Sequence, residues 1–283
     1  MKVDRAFLLE AYSHPDAVRS YSRAVSQIGL WKFEETFFSR YLRTEGRILD
    51  LGCGAGRTTF GLYDAGYRKI IGADLSPVMI RQARLNADRR GLKIRFRVGD
   101  ACRLPFESKS FDGCLFSFNG LMTIPRRSLR ITALREIRRV LVPGGRFVFT
   151  THERQGGASS QPLWRKEMAL WRAGKQDPQL HEFGDELIEE LGRPTFIHVP
   201  DRREILGCLK AADLEWIEDE YPDLARESRA VRKFVCFDCR FWAARRPPHS
   251  AGVPVQGRPR GSGSSAVAPR RGRAQGPRAP SAM

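Results

Sequence analysis

Apolar residues along the chain gather in short runs that alternate with stretches of helical spacing. Arg47-Ile48-Leu49-Asp50-Leu51, Lys69-Ile70-Ile71-Gly72-Ala73, Ile94 to Val98, Phe111 to Phe118 and Arg146 to Thr150 each read as a strand. A helix from near Thr58, closed by Gly66, follows the first. Another follows the second, with Ser76 as its N-cap, Pro77 at its first position and Gly91 as its stop after Arg90. Between Ser128 and Leu141, Ile131, Leu134, Ile137 and Leu141 recur three or four apart; Arg130, Arg135, Arg138 and Arg139 are expected to face solvent. Pro143-Gly144-Gly145 then reads as a tight turn. Strands without polar alternation, separated by amphipathic helices, predict a doubly wound, mostly parallel α/β sheet covered on both faces.

The rhythm fails at both ends of this series. Residues 1–45 read as a helical N-terminal cap rich in aromatics from Tyr12 to Tyr41. Residues 152–200 read as an inserted cap, with a helix near Pro162 to Gly174 that aligns Trp164, Met168 and Trp171, then a hairpin from Asp185 to Val199. That stripe suits a lid over a ligand or plain packing on the core. In 201–244 Asp201 caps a helix to about Ala212, and Glu215 to Tyr221 and Arg232 to Ala243 read as two final strands. Residues 46–151 with 201–244 form the expected core. Residues 245–283 carry eight Arg, seven Pro, six Gly and no acid, too little apolar surface to offset ordering, and are expected to be a disordered basic tail.

Chemistry gathers where the strands end. Gly52, Gly54 and Gly56 form G-x-G-x-G between the first strand and its helix, where missing side chains admit a ligand to backbone N–H groups. Asp74 follows Gly52 by 22 residues at the end of the second strand, the place for a carboxylate that accepts ribose hydroxyls. Asp100 ends the third strand, where it can accept from an exocyclic amine. Both aspartates also suit turn or cap roles. A nicotinamide dinucleotide fits less well, since its G-x-G-x-x-G pattern wants glycine where Arg57 stands.

With these motifs the chain resembles the class I S-adenosylmethionine-dependent methyltransferases. The resemblance runs from Arg47 to Thr150: Leu49-Asp50-Leu51-Gly52-Cys53-Gly54-Ala55-Gly56, Gly72-Ala73-Asp74-Leu75-Ser76-Pro77, Gly99-Asp100-Ala101 and Val140-Leu141-Val142-Pro143-Gly144-Gly145. It implies a Rossmann-like seven-stranded sheet with the last strand antiparallel. It implies S-adenosyl-L-methionine as cofactor, with Asp50, Gly52, Gly54 and Gly56 around its methionine part and Asp74 on the ribose. Leu75 and Met79 would flank the adenine, Asp100 and Ala101 would read its edge, and Asn119 would lie near the transferable methyl group. Leu75 and Met79 also suit ordinary core packing.

In-line transfer from a sulfonium needs alignment and exclusion of water more than a base, so no catalytic residue announces itself. His152, His181 and Tyr21 are candidates, with Tyr12 and His14 on a helical lid, and Arg57 could meet a carboxylate of the cofactor. Substrate determinants are expected in residues 1–45 and 152–200.

Composition changes this picture little. The net charge of +17 comes from 49 Lys plus Arg against 32 Asp plus Glu, and removing the tail's eight Arg leaves +9. Forty of the 49 cations are Arg, a bias expected of GC-rich coding as much as of a phosphate-binding surface. No Asn-Pro-Pro-Tyr tetrapeptide and no Pro-Cys pair at the fourth strand point to a nucleobase substrate. A small-molecule methyl acceptor is therefore favoured over a nucleic acid or protein tethered by the tail, and over cofactor binding without turnover. Phe7-Leu8-Leu9 is too short for a signal-peptide core and no run spans a membrane, so a cytoplasmic protein is expected. Of six Cys, only Cys236 and Cys239 make a C-x-x-C pair; free thiols and no metal are expected.

Overall fold

The computed structural model describes residues 2–155, 161–190, 193–234 and 239–248. Three helices open the chain, α1 (Arg5–Ser13), α2 (Pro15–Gln27) and α3 (Lys32–Tyr41). The series β1 (Ile48–Leu51), α4 (Arg57–Asp64), β2 (Ile70–Asp74), α5 (Pro77–Arg89), β3 (Arg95–Val98), β4 (Phe111–Phe116), α6 (Arg127–Val140) and β5 (Leu141–Thr151) follows. After it come α7 (Gln161–Arg172), the hairpin strands β6 (Asp185–Glu190) and β7 (Arg193–His198), α8 (Arg202–Ala211), β8 (Glu215–Glu220), α9 (Arg229–Phe234) and β9 (Arg240–Arg245). The expected caps are present: the Ser76 hydroxyl accepts the Met79 N–H, and the Asp201 carboxylate accepts the Glu204 N–H.

Seven strands form one sheet in the order β3-β2-β1-β4-β5-β9-β8, and β6-β7 stand apart as a pair. All neighbours from β3 to β5 are parallel, while β9 is antiparallel to both β5 and β8, as the resemblance implies. Pairing of β5 with β4 resumes at Arg146, past an irregularity at the expected Pro143–Gly145 turn. The final strand begins at Arg240, not Arg232. Residues 229–234 form α9 instead and bury Val231 beside Trp31, so tertiary packing overrides an ambiguous local pattern.

Period-two alternation builds two cores. Leu49 and Leu51, Cys114 and Phe116, Phe147 and Phe149, and Trp242 and Ala244 face the side covered by α6 and α8. Ile48, Leu115, Val148, Phe241 and Ala243 face the side covered by α3 and α9. Arg130 departs from its expected solvent role: it is 1% exposed and pairs with Glu182 and Glu204 at 2.7 and 3.1 Å. Strand order reverses between β1 and β4, and the carboxyl ends of β1 to β4 open there.

Candidate functional site

A cavity of about 250 Å³ lies over those strand ends. Gly52 and Gly54 enter it from β1, Asp74, Leu75, Ser76 and Met79 from β2 and α5, Asp100, Ala101 and Cys102 from β3, and Phe116, Ser117, Phe118 and Gly120 from β4. The remaining wall is Arg5, Leu8, Leu9 and Tyr12 of α1, Tyr21 of α2, and Thr123, Ile124, Pro125 and Leu129 before and within α6. Helices α1 and α2 thus form part of the cavity wall. None of the described residues of 152–200 lines the cavity. Trp171 packs instead against Val3, Leu8, Leu180 and Phe196, and Trp164 stands edge-on to Phe183 at 5.9 Å, so these two rings of the α7 stripe pack on the fold.

The glycine loop is shaped for close approach. Gly52 has φ +67°, and a Cβ there would stand 2.6 Å from the Phe116 ring; Gly54 has φ +52°, and its Cβ would fill space 3.6 Å from the Tyr21 ring. Asp74 braces this loop by accepting the Gly54 N–H at 2.9 Å on one oxygen and the Ser76 N–H at 2.8 Å on the other. Each oxygen keeps lone-pair capacity toward the cavity. Burial raises the Asp74 pKa, and these two hydrogen bonds oppose the rise. Asp100 accepts the Cys102 N–H at 2.8 Å and is closed from α1 by Arg5 Nε, also at 2.8 Å. Burial, followed by the Asp100 charge, pushes the Cys102 thiol up to about 11, so the cavity wall offers no thiolate there.

Three residues named from the sequence stand behind the wall. Asp50 is 1% exposed and lies under the glycine loop. Its Oδ2 accepts the hydroxyls of Thr58 and Thr59 at 2.6 and 2.5 Å, and its Oδ1 is buried without a hydrogen-bond partner. Gly56 has φ +99° and is the N-cap of α4. Asn119 turns away from the cavity toward His152, with Nδ2 to Nε2 at 2.9 Å. His181 also lies outside the wall: its Nε2 donates to the Val3 carbonyl at 2.6 Å and its Nδ1 accepts from Arg126 Nε at 3.3 Å. His14 caps α2. Of the residues considered as bases, Tyr12 and Tyr21 line the cavity, edge-on to each other at 6.2 Å.

Arg57 does not face the cavity. It makes a bidentate pair with Glu34 of α3, at 2.6 and 2.7 Å, and Glu34 also accepts the hydroxyl of cavity-lining Ser117 at 3.0 Å. Sequence reasoning missed this tie between cap and glycine loop, because nothing local connects residues 34, 57 and 117. It also missed Arg5, Leu8, Leu9 and Phe116. Leu8 and Leu9 were legible only as an apolar run.

Glu182, Asp185 and His198 bring three metal-type donor atoms within 4.8 Å of one another. Their atoms are already engaged: Arg130 meets Glu182, and the His198 ring lies between Asp185 and Glu204 at 2.8 Å on each side. Cys239 is buried with its thiol facing Asn119 Oδ1, while Cys236 and the tail from residue 249 onward lie outside the described residues. Among the described residues no helix is long and apolar enough to cross a membrane.

Comparison with known proteins gives these positions a context. A family model described as a methyltransferase domain matches residues 48–145. Demethylmenaquinone methyltransferase of Thermus thermophilus is 40% identical over 105 residues, covering 36% of this chain and 45% of that protein. The Beutenbergia cavernae protein of the same name is 30% identical over 185 residues, covering 60% of this chain and 70% of that one. Against the Thermus and Deinococcus radiodurans relatives the match spans less than half of their length. Among solved structures, a SAM-dependent methyltransferase from Methanosarcina mazei superposes with TM-score 0.62 at 22% identity, covering 78% of this chain and all of that one. The cyclase SpnF superposes with TM-score 0.60 at 20% identity, covering 87% and 98%. At such identities the structural matches speak to the fold alone.

Proposed function

The chain belongs to the class I S-adenosylmethionine-dependent methyltransferases, and from that premise we propose that it transfers a methyl group to a small, largely apolar molecule held under α1. The observation that carries this reading is the composition of one cavity wall. Asp74, Leu75, Met79, Asp100 and Ala101 converge on it beside Gly52 and Gly54, and the rest is mostly apolar side chains from α1 and from residues 116–129.

Those seven residues would hold the cofactor. The two glycines leave room for its methionine part, the free lone pairs of Asp74 suit ribose hydroxyls, and Asp100 with the Ala101 backbone suits the adenine edge. Asp50 braces the start of α4 from beneath through Thr58 and Thr59. When bound, S-adenosylmethionine supplies a methyl group already activated by its sulfonium. The protein's task is then to orient the acceptor and exclude water. Leu8, Leu9, Tyr12, Ile124 and Pro125 suit that task. Arg5 is the cation on the wall, and Asp100 already neutralises it. Among the described residues of the wall a polyanion therefore finds no unpaired cation to meet. The name shared by the Thermus and Beutenbergia relatives, demethylmenaquinone methyltransferase, supports a small-molecule acceptor as well.

Titration calorimetry with S-adenosylhomocysteine tests the donor half of the proposal. Wild-type protein should bind it, and Asp74→Ala should weaken binding by about 1–3 kcal/mol, roughly 5- to 150-fold, by leaving hydroxyls unpaired. Equal affinities in the two proteins would remove Asp74 from the site.

A further inference from the structure

Phe118 and Asn119, which follow β4, both adopt positive φ, +52° and +61°. A left-handed aromatic residue works against its own Cβ, and two such residues in succession persist only where the surroundings fix them. Here the fixing groups come from behind. The Asn119 backbone N–H donates to Thr150 Oγ1 at 2.8 Å, and its side-chain amide donates to His152 Nε2 at 2.9 Å. The Cys239 thiol faces Asn119 Oδ1 at 4.0 Å, on the side of the amide opposite the imidazole contact. Phe118 is held edge-on by Trp31 at 6.5 Å and by the Arg57 guanidinium at 5.7 Å from its ring centre. The result faces the other way: Ser117, Phe118 and Gly120 line the cavity while Asn119 does not. The Phe116 ring lies against both Gly52 and Gly120, so this turn and the glycine loop share one floor.

We propose that Asn119 and His152 are positioning residues for methyl transfer, locking the left-handed turn so that Ser117 and Phe118 are presented to the bound ligands. The inference rests on the reading of the cavity as the methyl-transfer site. The Asn119 amide nitrogen can only donate, so this arrangement requires the His152 Nε2 lone pair to accept, with a ring proton on Nδ1. That lone pair is spent on Asn119, away from the cavity, and does not serve as a general base.

The test combines S-adenosylhomocysteine calorimetry, imidazole nitrogen NMR and thermal melts on the full chain. Failure of the wild type to bind would overturn the cavity reading itself; the NMR arm addresses the turn independently. With binding in hand, Asn119→Ala and His152→Ala should each weaken it about fivefold or more, and the double variant should be no weaker than the worse single one. His152→Gln, whose amide oxygen can accept the same hydrogen bond, should restore most of the loss. NMR at pH 7.5 should find the His152 proton on Nδ1, with a shift of its resonances in Asn119→Ala. Should the alanine variants melt near room temperature, Asn119→Gly keeps the left-handed backbone without strain and should still lose affinity. Additive losses, His152→Gln as damaging as His152→Ala, wild-type affinity in Asn119→Gly, or a proton on Nε2 would each overturn the proposal.

Discussion

At the end of β1 a carboxylate is held where water does not reach it. Burial pushes the Asp50 pKa up to about 6, although the Thr58 and Thr59 hydroxyls pull it down. An acid whose folded pKa is raised stabilises the fold below the ordinary aspartate value, and that contribution is lost as pH rises through about 6. Above pH 7 the ionised Asp50 therefore costs the fold up to about 3 kcal/mol. Asp50→Asn should raise the melting temperature at pH 8 by more than at pH 5; an equal change at both would show that burial does not perturb this group. The glycines and Asp74 were legible at this scale because their chemistry sits at fixed offsets from a strand. Arg130 was misread despite a usable signal. It falls four and seven residues before Leu134 and Ile137, on the same stripe, but its partners Glu182 and Glu204 are distant in sequence.

The inserted segment and α8 meet the core through a cluster of charges rather than through apolar contact alone. His198 of β7 lies between Asp185 of β6 and Glu204 of α8, Arg130 of α6 joins Glu182 to Glu204, and Arg154 reaches Asp201 and Glu204. Arg130 also donates to the carbonyl of cavity-lining Ile124 at 3.1 Å, so the cluster backs the ligand wall. Arg130→Ala should cost about 1–3 kcal/mol, read as a fall in the denaturation midpoint, because it takes the buried guanidinium from Glu182 and Glu204, and Glu204 keeps His198 and Arg154. Burial alone would raise the Glu204 pKa, but hydrogen bonding and charge from His198, then Arg130 and Arg154, hold it down at about 2. A depressed acid stabilises above its ordinary value and loses that contribution as pH falls toward 2. Glu204→Gln should accordingly show a flatter stability profile between pH 5 and pH 3 than the wild type. A parallel profile would mean that Glu204 is not held down. Element boundaries inside the βα series were legible from periodicity, whereas α9 was not, since Val231 is fixed by the Trp31 cluster and not by its neighbours in sequence.

Across the whole molecule, net charge says less about function than the alternation of strand and helix. That rhythm and the family motifs pointed to a mostly parallel seven-stranded sheet with an antiparallel last strand; the order β3-β2-β1-β4-β5-β9-β8 is read from the structure, and it places the cavity where strand order reverses. The cap's route over the cavity could not be read locally, because Arg5 to Asp100 and Glu34 to Arg57 are contacts between distant segments. Removing residues 249–283 takes away six Arg and no acid. Affinity for S-adenosylhomocysteine should stay within about twofold at 50 and 200 mM salt, because the described cavity wall is drawn from residues 5–129. A salt-dependent loss would bring the tail into the site.

The most direct test of the central claim follows the methyl group itself. Full-length protein, S-adenosylmethionine with a tritiated methyl group and a cell extract of the encoding organism are incubated together, then separated into organic-soluble, protein and nucleic-acid fractions. Label should enter an organic-soluble small molecule and fall sharply with Asp74→Ala. Label confined to protein or nucleic acid, or no transfer from a protein that binds S-adenosylhomocysteine, would contradict the account.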